Sequence, residues 1–151
     1  MNLNTATQTA RPPDMQPAAP ATRMEHVERI VKVVGRALVA TLFILAGAAK
    51  VVDPRPFLEH MMQFGVPGFL LPAVIALELG AGVAILVGWR IREAAGALAF
   101  FCVMTAAIFH YQLWIHAERT LFFKDLAIAG GLFLLAANAT GRGRMKGSVS
   151  G

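Results

Sequence analysis

Four apolar stretches of membrane-crossing length, joined by short links, leave this chain room for little else. A transmembrane helix needs about 20 mainly apolar residues to cross about 30 Å of hydrocarbon. Stretches from about Val34 to Val52, Phe69 to Trp89, Ala94 to Ile115 and Leu121 to Ala139 meet that requirement. The first is interrupted only by Arg36 and Lys50 near its ends, and the second only by Glu78. The third carries no acidic or basic residue but His110, and the fourth opens with Lys124 and Asp125. The expectation is an all-α integral membrane four-helix bundle, spans 34–52, 69–89, 94–115 and 121–139, within a domain of residues 29–140. Only 15% of the 151 residues are charged, against about a quarter in soluble domains. That composition argues against a soluble enzyme, a disordered protein or a nucleic-acid binder. A single cysteine, Cys102, excludes an intramolecular disulfide and any CxxC pair.

The flanks are short. Residues 1–28 are rich in Ala, Thr, Pro and Gln and are expected to form a disordered cytoplasmic tail. The first apolar run starts too late, and is too long, for a cleaved signal peptide. Glu25 to Lys32, with Val27, Ile30 and Val31, is expected to extend the first helix along the interface, and residues 141–151 to form a basic cytoplasmic tail. With both termini cytoplasmic, the inner side holds ten basic residues, including Arg36, Arg90, Arg92, Arg142 and Arg144, and the outer side only Lys50, Arg55, Arg119 and Lys124. This is the positive-inside distribution, and it explains the net charge of +5 as a topology and lipid signal rather than a nucleic-acid surface. Trp89 at the inner end, and Tyr111 and Trp114 at the outer end, fall where aromatic belts belong.

In lipid, close helix contact relies on small side chains. Helix two carries Ala76, Gly80, Ala84 and Gly88 on one stripe, a candidate packing surface that would also serve a homo-oligomer. Glu78 lies about 200° around from Gly80, beside Ala81, Gly82 and Ile85, so both faces call for neighbours. Helix three offers Ala95, Ala99 and Ala107, and helix four Ala127 and Gly131. The longest link, Asp53 to Gly68, alternates Phe57, Leu58, Met61, Met62 and Phe64 with Glu59, His60 and Gln63, which predicts a short amphipathic surface helix able to cap what lies beneath it.

Ionisable groups at membrane depth cost about 2.5–3.5 kcal/mol, so each needs a partner or a purpose. Glu78 falls roughly 9–14 Å below the outer end of helix two; His110, Lys124, Asp125 and Lys50 lie near the outer ends of their helices. Every helix thus contributes to the outer half, while the inner half is almost purely apolar. Plain readings exist for each group. Lys50 and Lys124 can snorkel, Asp125 can complement a helix dipole, and His110 can bond a backbone carbonyl. Glu78 is either neutral or paired with Lys124, Lys50 or His110, and a purely structural pair is one alternative. The functional alternative is a polar pocket of Lys50, Glu78, His110, Lys124 and Asp125 that exchanges protons and suits a quinone head group, a small acid or a proton. His110 and His116 lack a third ligand and the spacing of a metal pair, and no haem is expected.

The residues Ala46-Gly47-Ala48-Ala49-Lys50, Asp53-Pro54, Gly65-Val66-Pro67, Glu78-Leu79-Gly80-Ala81-Gly82, His110 and Lys124-Asp125 occur in an order that resembles the DoxX family of small bacterial membrane proteins, over Gly35 to Ala139. The resemblance implies a four-helix inner-membrane protein. The family takes its name from a subunit of a thiosulfate:quinone oxidoreductase, and relatives are associated with membrane redox complexes. It therefore points to Lys50, Glu78, His110 and Lys124 as a shared site and, more loosely, to a redox accessory, with quinone as one candidate ligand and a redox subunit as a candidate partner. A lone cysteine leaves no internal thiol relay. The leading expectation is a membrane subunit or accessory of a quinone-linked redox system, and the alternative is a solute or proton-coupled carrier or an assembly factor.

Overall fold

The computed structural model describes residues 20–139, and all regular structure among them is helical. The elements are α1 (Pro20–Val52), α2 (Arg55–Gln63), a 3-10 turn (Gly68–Leu70), α3 (Leu71–Val87), α4 (Ile91–Phe109) and α5 (His116–Ala139). Four helices are long and apolar enough to cross a membrane. The expected tails of residues 1–28 and 141–151 lie largely outside the described residues. Where the first can be followed it is helix, since α1 already begins at Pro20. Proline is tolerated in the first turn of a helix, and Ala21, Arg23, Met24 and Glu25 behind it are good helix formers. The chain divides into two units at Lys32. Within the first, Lys32 bonds Glu28 one turn away; the second contains everything described below.

That unit is built on small residues. Its buried core consists of Ala40 and Phe43 from α1, Ala81, Ala84 and Ile85 from α3, Ala94, Ala95, Leu98, Ala99 and Cys102 from α4, and Ala129 and Leu132 from α5. Helices that share alanine at their contacts approach closely and gain dispersion contacts that lipid cannot supply. Two glycines take this further. A Cβ on Gly82 would stand 3.0 Å from Ile44 and 3.4 Å from the Ala40 carbonyl oxygen, and one on Gly47 would stand 2.8 Å from Leu79. Gly82 therefore lets α3 approach the backbone of α1, and Gly47 leaves room on α1 for the Leu79 side chain.

The packing face of α3 is thus not the expected stripe. Ala76, Gly80 and Gly88 are exposed and only Ala84 is buried, while Glu78, Ala81, Gly82 and Ile85 face the protein. Both faces offer small residues, and the buried carboxyl decides between them, because it alone cannot be left in lipid. Gly88 has a different task. It ends α3 in the left-handed conformation, φ 87° and ψ 18°, where Trp89 N–H donates back to Ala84 at 2.9 Å. Arg36 lies against it, its guanidinium donating to the Ile85 carbonyl at 3.1 and 2.8 Å and to that of Leu86 at 3.1 Å. A side chain read as a topology signal thus caps orphan carbonyls at the negative end of a helix. Ala95 and Ala99 of α4 pack as expected, but Ala107, Ala127 and Gly131 are exposed, with Ala106, Ala129 and Leu132 buried instead.

The third span ends early. α4 stops at Phe109, and residues 110–115 form a tight connection in which Leu113 N–H reaches Tyr111 and Ile115 N–H reaches Gln112. α5 consequently begins at His116 rather than Leu121. Between α1 and α3, α2 adopts the expected amphipathic helix, with Met61 buried and Met62 exposed. Asp53 leads into it, accepting from the Arg55 N–H at 3.3 Å and from its guanidinium at 3.0 and 3.2 Å. The same guanidinium holds the Asp53 carboxyl below its usual range.

Two outcomes follow from the contact between α1 and α3. Gly82→Val overpacks it and should lower stability by about 1–3 kcal/mol. Gly80→Ala, with no atom within 4 Å of the added carbon, should be neutral or stabilise by up to about 1 kcal/mol. Thermal unfolding in detergent distinguishes them.

Candidate functional site

The alanine core fills only part of the bundle. Towards the end formed by the last turn of α1, the start of α3, the end of α4 and the start of α5, the helices enclose a cavity of about 490 Å³. Its walls are mostly apolar, with Phe43 and Ala46 on α1, Val74 on α3, Phe101 and Ile108 on α4 and Ile128 on α5. α2 contributes Phe57, His60 and Met61, so the amphipathic helix covers one side of the cavity. It is fixed there by rings: His60 stacks on Phe109 at 5.0 Å, and Phe64 meets both edge-on at 5.0 and 5.3 Å.

All five predicted polar residues line this one cavity, but they do not form one cluster. Glu78 is paired with Lys50, whose Nζ donates to its two carboxylate oxygens at 2.9 and 2.8 Å. The side chains are only 13% and 5% exposed. Lys50 also donates to the Ala46 carbonyl at 3.3 Å, and its ammonium lies 4.8 Å from the centre of the Phe57 ring. The local sequence explains the reach. Gly47 brings α1 within 3.3 Å of the Glu78 Cβ, measured from where its own Cβ would be, and Lys50 follows one turn later. Of the three partners open to Glu78, the structure selects this one.

His110 closes α4 and turns to the other side. Its Nδ1 is 2.7 Å from Glu118 Oε2, and its Nε2 is 3.9 Å from Asp125 Oδ2. Glu118 and Asp125 are seven residues apart, two turns of α5, which puts both on one face. Asp125 is the tenth residue of α5 and not in its first turn, so it does not serve the helix dipole; Glu118 occupies that first turn. Lys124, adjacent in sequence, is exposed at the rim and forms no ion pair among the described residues. The expected quartet therefore resolves into a closed Lys50–Glu78 pair, a His110–Glu118–Asp125 group and a peripheral Lys124. Glu118 and His60 are the site residues that the sequence did not disclose. The acidic start His116-Ala-Glu118 is the available signal for Glu118, masked because the apolar run itself begins only at Leu121.

The DoxX family profile matches residues 31–111. The chain is 40% identical to "Inner membrane protein YqjF" of Escherichia coli (strain K12) over 118 residues, 78% of this chain and 91% of that one. It is 28% identical to "Inner membrane protein YphA" of the same organism over 120 residues, 74% of this chain and 85% of that one. No solved structure matches.

Removing one member of a buried ion pair leaves the other uncompensated and typically costs about 3–5 kcal/mol, whereas replacing both with apolar groups can be neutral. Lys50→Met and Glu78→Leu should each destabilise the protein strongly, and the double variant should recover most of the loss. A double-mutant cycle of unfolding in detergent reads this coupling directly.

Proposed function

The chain belongs to the DoxX family, a multi-pass inner-membrane protein, and from that premise we propose that it serves a quinone-linked redox system as a membrane subunit or accessory. The observation that carries this reading is the pairing of apolar walls with ionisable groups in one cavity. A quinone has that division: an apolar body that dissolves in lipid and a head of two oxygens that need hydrogen-bonding partners. Ligand sites are usually about 300–1,000 Å³, mainly apolar, with a few converging polar groups, and a cavity of about 490 Å³ fits that class.

Access supports the same class of ligand. Leu42 and Met104 line the cavity yet are 46% and 41% exposed. The cavity is therefore open among apolar side chains, on spans whose outer surfaces meet lipid, which suits a guest that arrives from the bilayer. Under the positive-inside distribution the polar end faces the outer leaflet, with both termini cytoplasmic. When bound, a quinone supplies two-electron chemistry coupled to protons; the chain supplies the enclosure, the hydrogen bonds and the exclusion of water. The redox partner would donate or accept the electrons.

The test is the quinone content of the protein extracted with its native lipid in polymer-bounded discs, wild type beside Val74→Trp. This substitution fills the cavity and replaces none of its polar groups. Quinone enriched over bulk lipid in the wild type and lost in the variant, at an unchanged unfolding midpoint, is the expected result. A wild-type protein with no enrichment would overturn the reading and move the weight to a carrier or an assembly factor.

A further inference from the structure

The polar groups around the cavity are not equally available to a guest, and this bears on the reading above, on which the inference rests. An ammonium has three hydrogens to donate. Those of Lys50 face three acceptors already in place, two oxygens of Glu78 and the carbonyl of Ala46, at 2.8–3.3 Å. Glu78 itself is 5% exposed in its side chain. A ligand oxygen could engage this pair only by breaking it and leaving charge unpaired in an apolar setting, a costly exchange. Thr105, the one hydroxyl on the cavity wall among the described residues, donates to carbonyls of its own helix at 3.1 and 2.9 Å.

His110 differs. Its Nδ1 is held by Glu118 at 2.7 Å, but the carboxylate oxygen facing Nε2, Asp125 Oδ2, stands at 3.9 Å, beyond hydrogen-bonding distance. Nε2 has no hydrogen-bond partner among the described residues, and the residue lines the cavity. A carboxylate on one ring nitrogen fixes the role of the other. With the ring neutral, Nδ1 keeps its proton against Glu118 and Nε2 is an acceptor; with the ring charged, both nitrogens donate. One atom can thus meet a ligand hydroxyl or a ligand carbonyl, and a head group that alternates between the two requires such a partner. The geometry points to Nε2 of His110 as the anchor for the ligand's polar head, with Glu118 as the residue that positions the ring. Lys124 at the rim, Asp125 beside Nε2 and His60 of α2 are the other titratable groups around the cavity mouth.

The probe is a decyl-tailed benzoquinone added to the full chain in lipid nanodiscs, followed by histidine ¹⁵N resonances, with that of His110 assigned by its loss in His110→Ala. In the wild type, the expected result is a shift of the Nε2 resonance on binding, with Nδ1 remaining protonated. Binding should weaken about tenfold in His110→Ala, the scale of one lost hydrogen bond. In Glu118→Leu it should weaken about threefold and the Nδ1-protonated signature should disappear, a change that loss of packing alone would not cause. A probe that binds the wild type while the His110 Nε2 resonance stays in place would overturn the anchor and leave the quinone reading standing. No binding by the wild type would overturn both. If His110→Ala fails to fold, His110→Gln supplies the same assignment, and the wild-type shift then decides the anchor.

Discussion

A carboxylate that cannot reach water determines the arrangement of α1 and α3. Glu78 sits in an apolar helix at membrane depth, where an unpaired charge is the most costly group available. Lys50 answers it from α1, and to do so the two helices must lie in near contact at one rotation about their axes. Gly47 and Gly82 supply that contact, each placed where a side chain would strike the opposite helix. The ion pair thus fixes register and face at once, which no apolar contact in lipid could do with equal selectivity. Its hydrogen bonds also satisfy every donor of the ammonium.

From this lock the bundle divides along its length. One half is filled with alanine, glycine and a few large side chains, and the helices pack tightly. The other half is hollow, bounded by Phe57, Phe101, Phe109 and the aliphatic residues between them, and capped in part by α2. Phe43 and Cys102 belong to both, closing the core on one side and the cavity floor on the other. Among the described residues, the buried or half-buried acidic side chains Glu78, Glu118 and Asp125 all lie towards the hollow half. The arrangement concentrates conformational freedom and hydrogen-bonding capacity in the same place, which is the physical requirement for holding an amphipathic guest.

Much of this was legible in the sequence, because span length and charge position are written there directly. The four helices, the amphipathic α2 and the gathering of Lys50, Glu78, His110 and Asp125 at one end all follow from them. Helix ends were not legible where apolar residues continue through a turn. Tyr111, Leu113, Trp114 and Ile115 extend the hydropathy of α4, yet they form the connection to α5, and that misplacement concealed Glu118. The buried face of α3 was ambiguous for another reason: both of its faces carry small residues, and only the three-dimensional reach of Lys50 breaks the tie. Arg36 escaped because a cation near a span end has a sufficient explanation in topology, so nothing in one dimension reveals that it binds the end of a helix 49 residues away.

The polar ties follow the order of the chain. Lys50–Glu78 and Arg36 on the carbonyls of α3 both join α1 to α3, one near each end of their contact. His110–Glu118 joins α4 to α5 across a short connection. No charged tie with a distance under 4 Å crosses from the first helix pair to the second among the described residues. Each hairpin therefore holds the partners of its own buried charges, and the two halves are self-matched in this respect. The cavity lies at the seam between those halves and takes its walls from both.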